Sequence, residues 1–164
     1  MISISQMNPA QYTAIAEIYR QGIVTGNATF QTDAPAWSEW DETHLKHSRI
    51  VLTDMGIVKG WAALTPVSGR CVYAGVAEVS VYIHADARGK GYGKRLLEAL
   101  INESEKNGIW TLQAGVFPEN KGSLRIHEQL GFRQVGFREK IGKMNGRWRD
   151  TILLERRSAT IGVN

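Results

Sequence analysis

Six residues, Arg88-Gly89-Lys90-Gly91-Tyr92-Gly93, constrain this chain more than any others. Their alternating glycines stand between a β-rich run, Ala74 to His84, and a stretch where Leu96, Leu97, Leu100 and Ile101 recur at helical spacing. That helix is expected to end near Asn107-Gly108. Without a Cβ, glycine backbone adopts positive φ and lets a ligand come close. The following helix aims unpaired N–H groups and partial positive charge at the same spot. Arg88, Lys90 and Lys94 add cations, so a phosphate or pyrophosphate is the natural occupant. The plainer alternative is a flexible loop whose glycines only serve tight turns. Spacing excludes two phosphate motifs: Lys94 stands where the dinucleotide fingerprint needs its third glycine, and no Gly-Lys-Ser/Thr is present for a P-loop.

The rest of the chain supplies a scaffold for that turn. Asn8-Pro9 predicts a capped helix through Ala14, Ile15, Ile18 and Tyr19, stopping at Gly22. Residues 23–36 read as a loop, and Ser38 as the cap of a second helix reaching about Ser48. Ile50–Leu52 and Ile57–Leu64 flank Asp54-Met55-Gly56, a hairpin signal. A strand over Trp110–Phe117, a short helix over Lys121–Leu130 and a break at Gly131 come next. The runs 132–141 and 148–156 flank Asn145-Gly146, which predicts a closing hairpin. The order predicts an α+β fold with a mixed sheet, not a doubly wound one. With no repeat or linker, residues 1–164 are expected to form one domain, frayed from Ser158 onward.

Composition narrows the classes of function. Apolar residues make up 43% and charged residues 22%, as in a soluble globular protein. No window approaches the roughly 18 apolar residues of a membrane span, and Met1–Ser5 lacks the features of a secretory signal. The single Cys71 rules out an intrachain disulfide and a cysteine-based metal cluster. A cytoplasmic protein without metal or membrane partner is expected. The net charge of +4 is scattered among acids, which predicts no nucleic-acid partner and suits a small polyanionic ligand.

Arg88-Gly89-Lys90-Gly91-Tyr92-Gly93 also matches the R/Q-x-x-G-x-G/A acetyl-CoA motif, and here the sequence resembles the GNAT superfamily of N-acetyltransferases. Ala77-Glu78-Val79-Ser80-Val81-Tyr82-Ile83, Asn120-x-x-Ser123 and Leu130-Gly131-Phe132 follow in family order. With Gly146-Arg147-Trp148-Arg149-Asp150, the chain is similar to the phosphinothricin and methionine sulfoximine acetyltransferase branch from about Ile4 to Arg157. The resemblance implies a mostly antiparallel mixed sheet flanked by about four helices, with acetyl-CoA as acetyl donor and a homodimer. It implies that Val81, Tyr82 and Ile83 meet the pantetheine arm through their backbone, that Gly89 to Lys94 wrap the pyrophosphate, and that Asn120 and Ser123 join them.

N-acetyl transfer needs a neutral amine, a donor for the charge developing on the attacked carbonyl oxygen, and a leaving thiolate. An α-amine with pKa near 8 needs little help, whereas a lysine-like amine near 10.4 needs more. Alternation puts Glu78 on one strand face with Val76, Ser80 and Tyr82, and it is the best candidate for the base; the alternative is a solvated strand residue. Backbone N–H groups of Val81 to Ile83 are candidates for the oxyanion donor. His127 stands where many members of the family carry a tyrosine acid, and it shares a helical face with Asn120 and Ser123; the alternative is a surface histidine. For the acceptor, the resemblance points to Thr29, Phe30, Trp148 and Asp150, although Phe30 and Trp148 can equally be core. One departure stands out. The branch usually carries an arginine just before the catalytic glutamate, and here that stretch reads Tyr73-Ala74-Gly75-Val76. Arg70 and Arg147 are the candidate substitutes. The expected acceptor is a small primary amine. Alternatives are a protein N-terminus or lysine, a CoA-binding sensor without activity, and a basic nucleic-acid-binding module.

Overall fold

The computed structural model describes residues 1–164. Seven strands form one sheet: β1 (Ile2–Gln6), β2 (Ile50–Asp54), β3 (Ile57–Pro66), β4 (Val76–Ile83), β5 (Thr111–Val116), β6 (Arg133–Met144) and β7 (Arg147–Arg157). Their spatial order is β1-β2-β3-β4-β5-β7-β6, with every neighbouring pair antiparallel except β4 and β5. Four helices, α1 (Tyr12–Val24), α2 (Trp37–Thr43), α3 (Tyr92–Lys106) and α4 (Lys121–Gln129), flank the sheet. This is the mixed α+β architecture expected from the order of elements.

Side-chain alternation divides the core in two. Leu96, Leu97, Leu100 and Ile101 of α3 pack on Leu52, Ala62, Leu64, Ala77, Leu112 and Ala114. On the opposite face Ile15 and Ile18 of α1 and Trp40 of α2 pack on Val51, Trp61 and Ala63. Neighbours in β3 thus serve different cores: Trp61 and Ala63 face α1, Ala62 and Leu64 face α3. The Tyr82 ring stacks on Trp61 at 5.0 Å and Tyr19 at 4.8 Å, which ties β4 to α1.

Both hairpins form where Met55-Gly56 and Asn145-Gly146 adopt the left-handed φ values that a tight two-residue turn requires. Three expectations about boundaries fail for identifiable reasons. Asn8 caps a short 3₁₀ turn, Pro9–Gln11, that leads into α1, and the helix runs through Gly22 to Val24. Gly22 is buried against the sheet, where an added Cβ would lie 2.7 Å from the Tyr82 ring, so it is a packing glycine and not a stop. Helix α2 begins after Ala36, without help from Ser38, and ends at Thr43 because Arg49 binds the carbonyls of Asp41, His44 and Leu45. The tail expected to fray from Ser158 is held instead: Ser158 is buried, its hydroxyl donates to Glu105, and Arg157 binds the carbonyls of Ile161 and Gly162. No helix is long and apolar enough to cross a membrane.

Candidate active site

The parallel ladder between β4 and β5 is short. It pairs Val76 with Thr111, Ala77 with Leu112 and Glu78 with Gln113, and then stops. From Val79 to Ile83, the edge of β4 facing β5 has no strand partner, which leaves a split in the middle of the sheet. Two cavities open into it and share a wall made of Val81, Ile83, Arg88, Asn120, Gly122, Ser123 and His127.

The smaller, about 460 Å³, lies between the glycine turn and α4. Gly89 and Gly91 have φ of 78° and 80°, a region that costs any residue with a Cβ roughly 1 kcal/mol or more. At both positions a Cβ would meet no protein atom within 4 Å, so its absence leaves open the groove itself. The turn is anchored from two sides. Gln21 of α1 accepts from the Ala85 N–H at 2.8 Å. The Tyr92 hydroxyl donates to Asp54 at 2.6 Å, fixing the start of α3 to the β2–β3 hairpin. That bond holds the Asp54 carboxyl below its ordinary pKa and raises the Tyr92 hydroxyl above its own. Across the groove, the Asn120 side chain accepts from the Ser123 N–H and caps α4, while its amide donates to the Asn27 carbonyl. Backbone donors at two helix starts, Arg88 and Arg125 therefore converge on one channel beside an unpaired strand edge. A long ligand carrying a pyrophosphate and an amide-rich arm fits this channel.

The larger cavity, about 900 Å³, lies on the α1 side of the sheet. Glu78 stands in it at the last rung of the β4–β5 ladder, and its only partner is the Gln113 side chain, which donates at 3.1 Å. Residues 27–31 close one side, with the Phe30 ring edge-on to Phe117 at 4.9 Å. Arg149 secures this loop by donating to the Gly26 carbonyl and Asn27 Oδ1 at 2.8 Å each, lying 4.1 Å over the Phe117 ring. Strand β6 closes the far side. Its pairing with β7 jumps from Arg138↔Thr151 to Gly142↔Arg149, so residues 139–141 oppose Asp150 alone. Beyond this bulge Gly142 sits under Phe30, whose ring would lie 2.8 Å from any Cβ there.

His127 is 6% exposed, not a surface histidine, and stands edge-on to Phe132. Its Nδ1 lies 2.7 Å from the Ser123 carbonyl. A carbonyl only accepts, so Nδ1 carries the proton and Nε2 a bare lone pair; that Nε2 is buried with no partner from the chain. Burial also lowers the imidazole pKa below its ordinary 6.5.

Against known proteins, residues 12–132 match the model of the "Acetyltransferase (GNAT) family". The chain belongs to the GNAT acetyltransferase family. Among its relatives, the L-amino acid N-acyltransferase MnaT of Escherichia coli is 31% identical, covering 94% of this chain and 92% of that protein. The L-methionine sulfoximine/L-methionine sulfone acetyltransferase of Salmonella typhimurium is 30% identical over 94% and 93%. The crystal structure of a GNAT superfamily phosphinothricin acetyltransferase from Sinorhizobium meliloti, in complex with AcCoA, superposes with a TM-score of 0.88 at 27% identity, covering 99% of this chain and 91% of that one. The GNAT fold is therefore shared over almost the whole length, and this chain is an N-acetyltransferase with acetyl-CoA as its donor.

Within this GNAT chain the structure brings together Glu78, Val81, Tyr82, Ile83, Arg88, Asn120, Ser123, His127, Thr29 and Phe30 on the walls of the two cavities. Gly89, Gly91, Tyr92 and Gly93 line the smaller one. Others fall elsewhere. Lys90 and Lys94 are exposed and line neither cavity. Tyr92 and Tyr82 offer backbone only, since the first ring is held by Asp54 and the second is stacked in the aromatic cluster, where burial drives its hydroxyl pKa well up. Trp148 is 58% exposed on the closing hairpin, against Lys143. Asp150 does not line the larger cavity either; it accepts from the Lys140 N–H at 2.7 Å and pins the bulge that shapes that cavity. Arg70 lies over Tyr73 and Arg147 is exposed at the hairpin, so neither replaces the missing arginine. Sequence reasoning missed Arg125, Arg138, Thr151 and Arg149. Arg125 was readable in principle as a cation on the helix that Asn120 caps, and Arg149 stands within the Gly146–Asp150 stretch that carries the resemblance; Arg138 and Thr151 pair at the edge of the bulge and carried no local signal. No group of three His, Cys, Asp or Glu side chains is placed to hold a metal ion.

Proposed function

We propose that this GNAT enzyme acetylates the primary amine of a small molecule, with amino-acid analogues such as methionine sulfoximine and phosphinothricin as the first candidates. The observation that carries this reading is the bounded cavity of about 900 Å³ around Glu78, which shares a wall with the glycine-turn channel. Two of the relatives named above, the L-amino acid N-acyltransferase and the L-methionine sulfoximine/L-methionine sulfone acetyltransferase, bear names that point to amino acids or their analogues. A protein N-terminus or lysine would call for an acid-lined cleft. The walls here carry Arg88, Lys121 and Arg138 against Glu78 and a Glu119 already paired with Arg149.

Acetyl-CoA, when bound, supplies a thioester whose carbonyl carbon is open to attack by an amine. Gly89 to Gly93, Arg88, Arg125, Asn120 and Ser123 hold its phosphates, and the unpaired edge of Val81 to Ile83 takes its amide-bearing arm. Glu78 accepts the proton of the incoming ammonium group, directly or through one water; Gln113 orients the carboxylate and leaves its second oxygen free. N–H groups on that edge of β4 stabilise the charge on the attacked oxygen. His127 enters the reaction neutral. Its bare Nε2 would take up the second proton that the amine gives up on forming the amide and pass it to the sulfur that departs as the C–S bond breaks, so it serves as a relay and not as a standing acid. The two cavities meet at a fixed wall, and bringing amine and donor together there supplies much of the rate.

The exposed Val135, Phe137 and Ile141 on edge strand β6 support a homodimer, and the lone exposed Cys71 supports a cytoplasmic setting for this single domain. A thiol-release screen of primary amines that includes methionine sulfoximine, phosphinothricin and an N-terminal peptide tests the proposal. Turnover of small amines with none of the peptide is expected; turnover of the peptide alone would overturn it.

A further inference from the structure

We infer that Arg138 is the residue that reads an anionic group on the acceptor, so that the preferred substrate is an amine bearing a carboxylate or comparable oxyanion. The inference rests on the small-molecule reading above. Five arginines are ion-paired, at positions 20, 49, 133, 149 and 156, and Arg138 is not among them. Its guanidinium makes no hydrogen bond within the chain, yet it stands exposed on the wall of the acceptor cavity beside Thr151, its cross-strand partner. An unpaired guanidinium at a ligand cavity matches a carboxylate or phosphinate, because its planar fork donates two parallel hydrogen bonds.

Position gives this charge a direction. Glu78 pairs with Gln113, Gln113 with Glu155, and Thr151 lies four residues along β7 from Glu155, so Glu78, Thr151 and Arg138 share one sheet face. Their strands β4 and β6 are three spacings apart, about 14 Å, and the four residues from Glu155 to Thr151 add about 13 Å along the strands. The two backbone positions lie roughly 19 Å apart, and the long side chains span part of that gap. The carboxylate that takes the amine proton therefore faces the cation across the cavity, and Phe30, Phe117 and Ile141 supply apolar wall beside them. A zwitterionic or amino-phosphinate molecule matches both ends at once. The stretch before Glu78 carries no arginine, and Arg138 fills that need from a different strand. The cavity's other cations lie toward the donor side: Lys121 opens α4 next to Asn120, and Arg88, on the wall shared with the glycine-turn channel, donates to the Gln21 carbonyl.

The test uses acid and amide forms of the same amines, methionine sulfoximine and its carboxamide first, in steady-state assays on the intact enzyme. The wild type should prefer the acid form. Arg138→Gln should raise KM for the acid roughly 10- to 100-fold, the range of a charged hydrogen-bonded contact, with kcat for the acid and kcat/KM for the amide within about twofold. Arg138→Lys should recover part of the preference, and Lys121→Gln should leave it intact. A wild type indifferent to the carboxylate, or an Arg138→Gln enzyme that keeps the preference, overturns the inference while leaving small-amine acetylation standing. No turnover of any small amine would instead break the reading beneath it.

Discussion

The two cavities of this enzyme are built by different means. The donor channel is assembled from stretches of neighbouring residues, Val81 to Gly93 and Asn120 to His127, and much of what it offers is backbone: glycines at positive φ, helix starts and an unpaired strand edge. The acceptor cavity draws side chains from α1's exit loop, β4, β5, β6 and β7, and its shape depends on contacts between them, such as Phe30 over Gly142 and Arg149 on Asn27. A backbone cradle requires glycine and tolerates little else, so it leaves a motif. A side-chain cavity can be remodelled one residue at a time. Donor use is therefore shared widely by proteins of this fold, while the acceptor is set by a handful of non-local contacts.

The largest expected effect lies at Glu78, in the larger cavity three residues before the shared wall begins at Val81. Glu78→Gln keeps the Gln113 contact within reach but removes the base, and should lower kcat by about 10²- to 10⁴-fold. The loss should be greatest at low pH, where more of the amine is protonated, and acetyl-CoA affinity should be unchanged. A pH profile with the wild-type shape would take the base role away from Glu78.

That contrast also explains what was legible from sequence. The glycine turn, the strand before it, α3 and the Asn120 cap could be read because each is specified by residues close together. For Glu78, the resemblance singled out the residue and alternation along β4 gave only its face. Of the residues expected at the acceptor, Thr29 and Phe30 line the larger cavity, whereas Trp148 and Asp150 do not. Asp150 belongs to the site at one remove, through the Lys140 N–H and the bulge. A bulge depends on how two strands register, and neither strand announces that alone. The buried state of His127 was likewise hidden, because the Phe132 ring that covers it lies beyond the end of α4.

A smaller effect concerns stability. Burial lowers the pKa of His44, His47 and His127 below the ordinary value of 6.5. The unfolded chain therefore binds more protons than the native one as pH falls below about 6.5, and native stability is lost as pH drops through the folded values. The melting temperature should fall between pH 7 and pH 5, by about 2–4 °C for each kcal/mol lost in a chain of this size. His127→Gln should flatten that dependence. A Tm that rises on acidification would contradict the burial of these imidazoles.

The division between donor and acceptor is tested most directly by two-substrate kinetics on a pair of variants, Gly91→Ala and Arg149→Met. The first strains the left-handed turn and fills open space in the channel; it should raise KM for acetyl-CoA roughly 10-fold, and weaken the thermal shift produced by acetyl-CoA alone, with KM for the amine unchanged. The second frees the loop over Phe117 and should raise KM for the amine by about the same factor, with acetyl-CoA binding unchanged. If Gly91→Ala alters both constants equally, or Arg149→Met weakens acetyl-CoA as much as the amine, the two regions are one site and the account is wrong.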